Sequence, residues 1–161
     1  MPLVSKILEA GLLKVFKAQK GLSAADAAKK WAKAYADYAQ MGMAGGVPAV
    51  LTGAEAQGLE SKLAAVLSSP KTATAASIAL AWATGVVSFW SAPPVSFGPG
   101  KVILAALALP IITSGLTTAF EDTNTTAAAC AAAMADALDS ATKTVKVLLP
   151  VPPPPKTVPV S

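Results

Sequence analysis

The sequence predicts a mainly α fold: about six amphipathic, Ala-rich helices in a compact bundle, one short C-terminal strand and an extended Pro-rich tail. Three observations predict it. Apolar residues recur at three- and four-residue steps through most of the chain. Clusters of Gly, Pro, Ser and Thr punctuate those stretches. β-Branched alternation and a run of prolines gather only near the end, from Thr142 onward. A helical domain is therefore expected over 1–141 and a strand plus Pro-rich tail over 142–161.

The first helix is drawn by Val4, Ile7, Leu8, Leu12, Val15 and Phe16, with lysines opposite them and Gly21 as its end. This start reads as a mature helix, because a secretory signal needs an unbroken apolar run that Lys6, Glu9, Lys14 and Lys17 deny. Ser23 and Asp26 form an N-cap signature for a second helix running to about Gln40. On it, Trp31, Tyr35 and Tyr38 make one aromatic stripe, the pattern of a face laid against neighbours. Gly42, Gly45, Gly46 and Pro48 break the chain.

A third helix resumes near Ala54, with Leu59, Leu63, Val66 and Leu67 on one side. Ser69 and Pro70 mark the start of a fourth, expected from about Lys71 to Trp90. Its large residues Ile78, Trp82, Val86 and Trp90 step by four. Pro93, Pro94, Gly98, Pro99 and Gly100 stop it, and a fifth helix, kinked at Pro110, is expected over 101–120. Asp122, Thr123 and Asn124 offer caps for a sixth helix to about Ala141, on which Cys130, Met134 and Leu138 step by four. Thr142 to Leu149 then alternates like a strand, and the six prolines of Pro150 to Ser161 read as polyproline-like and outside any core. Leu12/Phe16, Leu59/Leu63 and Leu116/Phe120 each precede a Ser/Thr cap and an Ala-rich helix, which suggests helix-hairpin repeats over 1–41, 54–90 and 101–141.

Composition removes much of the catalytic vocabulary. The 161 residues include no His and no Arg, and charged residues make up only 14% against 53% hydrophobic. The single cysteine, Cys130, sits among alanines like a small buried side chain, and zinc-type ligand sets are absent. Glu121/Asp122 and Asp136/Asp139 look like helix-end and surface groups respectively, not an acid–base pair. No phosphate loop, dinucleotide fingerprint or calcium loop is present, and no cofactor or metal is expected. The net charge of +4 comes from lysines crowded toward the N-terminus; without Arg for bidentate base contacts, nucleic acid is disfavoured as a partner.

The two neutral stretches, Thr72 to Gly100 and Val102 to Phe120, are long enough to raise the question of a membrane. Their strongly apolar residues contribute roughly 2 to 3 and 3 to 5 kcal/mol to insertion, opposed by many Ser, Thr and Gly. Helix packing within protein is the preferred reading, and a two-span holin-like or pore-forming membrane protein is the alternative.

The break Ser88-Phe89-Trp90-Ser91-Ala92-Pro93-Pro94-Val95-Ser96-Phe97, the Asp136-Ala137-Leu138-Asp139 and Thr142-Lys143-Thr144-Val145 segments, and the prolyl tail together resemble small Ala-rich virion structural proteins of tailed bacteriophages and prophages. The resemblance implies a non-enzymatic subunit of the tail, baseplate or connector, or a capsid decoration protein. It also implies a virion location after assembly in the bacterial cytoplasm, with copies of itself and other virion proteins as partners. The residues expected to mediate assembly are Trp82, Trp90, Phe97, Val145, Val147, Leu149, Val151 and Val158.

Overall fold

Three hydroxyl side chains organise the helices. Ser23 Oγ accepts from the Asp26 amide at 3.1 Å, and Thr126 Oγ1 accepts from the Ala129 amide at 3.2 Å. Thr74 Oγ1 accepts from Ser77 N at 3.1 Å while Ser77 Oγ accepts from Thr74 N at 2.8 Å, a reciprocal box. Each cap satisfies amides that the first helical turn leaves without partners, worth about 1 kcal/mol. In a computed structural model describing residues 3–18, 21–93, 95–150 and 155–161, these caps begin α2 (Ala24–Ala39), α4 (Ala75–Ser91) and α6 (Ala127–Thr142). Each follows a partner across a short turn: α1 (Ser5–Ala18), α3 (Ala54–Leu67) and α5 (Ala108–Glu121). The chain is mainly helical, with two small sheets.

The helices neighbour one another in chain order, and α6 returns to lie beside α1. Within the pairs the packing is close. A Cβ on Gly115 would lie 2.6 Å from Ala137 Cβ, and one on Gly85 would lie 3.2 Å from Leu59 Cα, so neither position has room for a side chain. The three capped helices share a register: Ala28, Ala79 and Ala131 follow their caps by five residues, Ala32, Ala83 and Ala135 by nine, and all are buried. Eight residues after each cap stand Trp31, Trp82 and Met134, also buried. Small residues let neighbouring helices approach while the large ones fill the space among α2, α4 and α6. Trp31 and Trp82 ring centroids lie 5.7 Å apart, and Tyr35 meets Phe89 edge-on at 5.3 Å.

The start of α3 uses an acid where the others use a hydroxyl. Gly53 takes the left-handed conformation at φ 92°, and Glu55, only 2% exposed, turns back on the helix end. Its carboxylate accepts from Thr52 N at 2.9 Å, Thr52 Oγ1 at 3.1 Å and Gly53 N at 2.8 Å. Burial alone would raise its pKa, but these donors outweigh burial and hold it below the ordinary value of 4.5. A depressed pKa gives stability that is present above the ordinary value and is lost as pH falls through the folded one. Glu55→Gln is therefore expected to destabilise by about 1 to 2 kcal/mol at neutral pH. In urea unfolding, the gap from the parent chain should close under acid conditions; a gap independent of pH would contradict the charged cap.

Several expectations require correction. The fourth helix starts at Ala75, not Lys71, because Ser69 and Pro70 form a turn whose Ser69 carbonyl accepts from Thr72 N and Ala73 N at 3.0 Å. Thr126, not Asp122 to Asn124, caps α6; Asp122 instead closes a local turn by accepting from Asn124 N. Lys101–Leu104 is not the first turn of a helix but strand β3, pairing with β4 (Lys146–Leu149). Pro110 consequently falls in the first turn of α5, where its missing amide would have no helical partner and no kink is needed. Thr142 ends α6 and does not open the strand.

The tail is corrected too. Residues 156–159 form β5, and β4 is the middle strand of an antiparallel sheet ordered β3-β4-β5. Val147 and Leu149 of β4 point inward, as does Val158 of β5. Pro159 is tolerated because β5 lies at the sheet edge. A second, two-stranded sheet, β1 (Met43–Ala44) with β2 (Val47–Pro48), lies between α2 and α3 in sequence. Cross-links among the segments after α2, α4 and α6 gather them at one end: Val50 with Ser96, Ala44 with Val160, and β3 with β4. We call this the sheet end; the opposite end carries the three helix-to-helix turns.

Candidate functional site

The residues expected to mediate assembly lie inside the chain. Trp82, Trp90, Phe97, Val145 and Val147 have no exposed surface, and Leu149 and Val158 are buried; Val151 lies outside the described residues. The fold brings two sets of them together. Trp90 stacks on Phe97 at 6.1 Å, held by a tight Phe97–Gly100 bridge that folds the proline-rich break inward. Val147 pairs with Val158 across β4 and β5. In the folded chain these side chains present nothing to a neighbour. With β3 and β5 on its two sides, β4 has no open edge to offer a neighbour's sheet while β5 is seated.

A buried polar network, which the sequence did not reveal, ties α2 to α4 and α6. Thr142 Oγ1 lies 2.7 Å from the Leu138 carbonyl, which can only accept, so the threonine proton goes there. Tyr35 OH, 2.7 Å from Thr142 Oγ1, therefore donates to it, and Trp90 Nε1 donates to the Tyr35 oxygen at 2.8 Å. Beside this relay, Tyr38 OH donates to Asp139 Oδ1 at 2.6 Å, and Lys143 Nζ donates to Asp139 Oδ2 at 2.7 Å. Asp139 is thus a buried structural acceptor, correcting its reading as a surface group. Burial pushes the phenols of Tyr35 and Tyr38 well above their ordinary value of 10, and for Tyr38 the hydrogen bond to Asp139 adds to the rise. Both phenols are shut away from solvent and hold α2 to α4 and α6.

A surface groove of about 840 Å3 runs between α2 and α3 beside Lys29, Lys33, Asp37, Gln40, Glu55 and Glu60. Lys33 and Asp37 neutralise each other at 2.8 Å, and both Glu55 oxygens are occupied by the helix end. Cys130 is half-buried, its thiol pushed up by burial and by Asp122 and turned toward the Ala119 carbonyl, the opposite of an activated nucleophile. Among the described residues no group of His, Cys, Asp and Glu could hold a metal ion, and no helix is long and apolar enough to cross a membrane.

The surface feature that remains is the sheet end. Val4 and Ile7 at the start of α1, Val50 before α3, and Ile103 and Leu107 before α5 are each between 41% and 52% exposed. The starts of α1, α3 and α5 all belong to this end, because each of these helices runs antiparallel to a partner that finishes there. Exposed Lys101 and Lys156 and half-buried Lys146 accompany them. The opposite end exposes mainly Ser, Thr, Asn, Asp and Lys in its turns. No protein-family model, no curated protein and no solved structure matches the chain.

Proposed function

We propose that the chain is a non-enzymatic structural subunit of a tailed-phage or phage-like particle, placed in the tail, baseplate or connector, with capsid decoration as a close variant. The observation that carries this reading is that five of the six exposed large apolar residues among the described ones, Val4, Ile7, Val50, Ile103 and Leu107, lie on segments at the sheet end, with Leu80 on α4 as the sixth. Large apolar side chains grouped on one region of a surface favour association with other protein. The reading takes the three helix pairs as copies of one duplicated hairpin and the sheet end as the face that meets neighbouring subunits. Copies of this chain and other particle proteins are the partners, and assembly takes place in the bacterial cytoplasm.

The membrane alternative draws less support. The neutral stretches are divided into α4, of 17 residues, and α5, of 14, both short of the roughly 20 that a span requires.

Size-exclusion chromatography with light scattering, followed by electron microscopy, tests the proposal. Ordered oligomers are expected at high protein concentration, and Ile103→Asp with Leu107→Asp should abolish them without lowering the melting temperature. A chain that stays monomeric at every concentration, alone and with particle proteins, or that resists carbonate washing from membranes, would overturn it.

A further inference from the structure

We infer that residues 156–161 form an exchangeable arm, seated in its own chain's slot when the chain is alone and in the slot of a second copy when copies assemble. The inference rests on the assembly reading above and names the contact that would lock it.

The slot has two walls. On one side β5 pairs with β4 through Lys146–Pro159, Val147–Val158, Leu148–Thr157 and Leu149–Lys156. Past β5 the arm continues: Val160 N donates to the Val145 carbonyl at 3.0 Å. On the other side, Ser161 and Met43 exchange both main-chain hydrogen bonds at 2.8 Å, so the arm joins the three-stranded sheet to β1. Val158 and Val160 point inward and are buried, whereas Lys156, Thr157, Pro159 and Ser161 are exposed.

Glycine keeps the slot open. A Cβ on Gly42 would sit 3.1 Å from Val160 Cγ1 and 3.0 Å from the Ala39 carbonyl, so a side chain there would crowd the arm and Val160 would have to give way by a few tenths of an ångström. The slot therefore has the form of a receptor for an extended strand, with main-chain bonds for affinity and two apolar positions for register.

Three features make this strand exchangeable. It buries only two side chains. In its sheet β5 has β4 as its one neighbour, so residues 156–159 leave by breaking a single ladder, and residues 160 and 161 by breaking their bonds to Val145 and Met43. It is joined to β4 through 150–155, where five of the six residues are proline and have no amide hydrogen to donate. The same contacts form whether the arm belongs to the same chain or a neighbour, so concentration can decide between them. The slot also opens at the sheet end, where the exposed apolar residues would bring a second copy.

Disulfide trapping decides it. The Met43–Ser161 pair is hydrogen-bonded, so the adjoining Ala44–Val160 pair is the close, non-bonded type, whose spacing suits a disulfide. Two full-length chains, Ala44→Cys and Val160→Cys, each with Cys130→Ala, are mixed, assembled and oxidised. A covalent dimer of twice 16.1 kDa that links one chain of each variant, and that forms from neither variant oxidised alone, is expected if the arm of one chain sits in the slot of the other. Assembly without that dimer overturns the exchange and leaves the subunit reading intact. Failure of the unmodified chain to assemble overturns both. A control chain carrying both cysteines should close on itself when dilute; if it does not, the slot geometry is wrong and the inference falls with it.

Discussion

Raising the pH is expected to leave both tyrosines protonated until the fold gives way, so that phenolate absorbance and loss of helix appear in one step. Tyr35 and Tyr38 are the only tyrosines in the chain, and both are buried. Each phenol is pushed above its ordinary value of 10, chiefly by burial. A native pKa raised above the unfolded one means the native state holds the proton more tightly. The corresponding stability is complete below the ordinary value and drains away as pH rises toward the native one. Unfolding releases the protons, so alkaline conditions favour it. Near-ultraviolet phenolate absorbance and far-ultraviolet circular dichroism, followed together, should share a midpoint. A tyrosine that ionises reversibly near pH 10 with the helices intact would show that the network among α2, α4 and α6 is open to solvent.

The same network explains why three Ala-rich helices settle in one arrangement. Alanine faces alone pack against one another in many registers. The relay from Trp90 through Tyr35 and Thr142 to Leu138 has one proton per link, and sliding a helix by one residue would strand a donor or acceptor away from water. Each stranded group costs about 1 to 3 kcal/mol. Polar groups in this position specify register more than they add stability, and Lys143 limits the cost of the carboxylate beside them.

How far the sequence could be read depends on the distance between interacting residues. Ser23, Trp31, Tyr35 and Tyr38 announced a capped helix with a buried face because everything involved lies within a few turns. Lys101–Leu104 and Lys156–Pro159 could not be read in the same way. Their partner is β4, and a short apolar run becomes a strand or a helix according to what lies next to it. Pro159 suits extended chain, and extension fits an edge strand as well as a free tail. Trp82, Trp90 and Phe97 stood out as large apolar residues; hydrophobicity marks them for burial without saying whether their own chain or another covers them. Tyr35 to Thr142 and Tyr38 to Asp139 span 107 and 101 residues, beyond the reach of any periodicity. The sheet-end patch was hidden for a related reason: the segments carrying Val50 and Ile103 reach the same end only through pairings distant in sequence, Val50 with Ser96 and β3 with β4.

Replacing Trp82 by alanine is expected to destabilise the chain by about 3 to 5 kcal/mol, a large part of the total stability of a domain this size. Its side chain is wholly buried on α4, against Trp31 at 5.7 Å and Tyr35 at 6.4 Å, so the void would open between α4 and α2. The flanking alanines cannot reach in to fill it. Leu80→Ala, on the same helix at a position 49% exposed, should change stability by no more than about 0.5 kcal/mol. Trp82→Phe separates ring packing from the indole nitrogen, which is buried with no hydrogen-bond partner among the described residues. Phenylalanine keeps most of the ring contact and removes that unpaired donor, so it should fall much closer to the parent chain than alanine does. Guanidinium unfolding of the three variants measures all of this. Equal losses for Trp82→Ala and Leu80→Ala would mean that the space among α2, α4 and α6 is not where the stability of the chain resides.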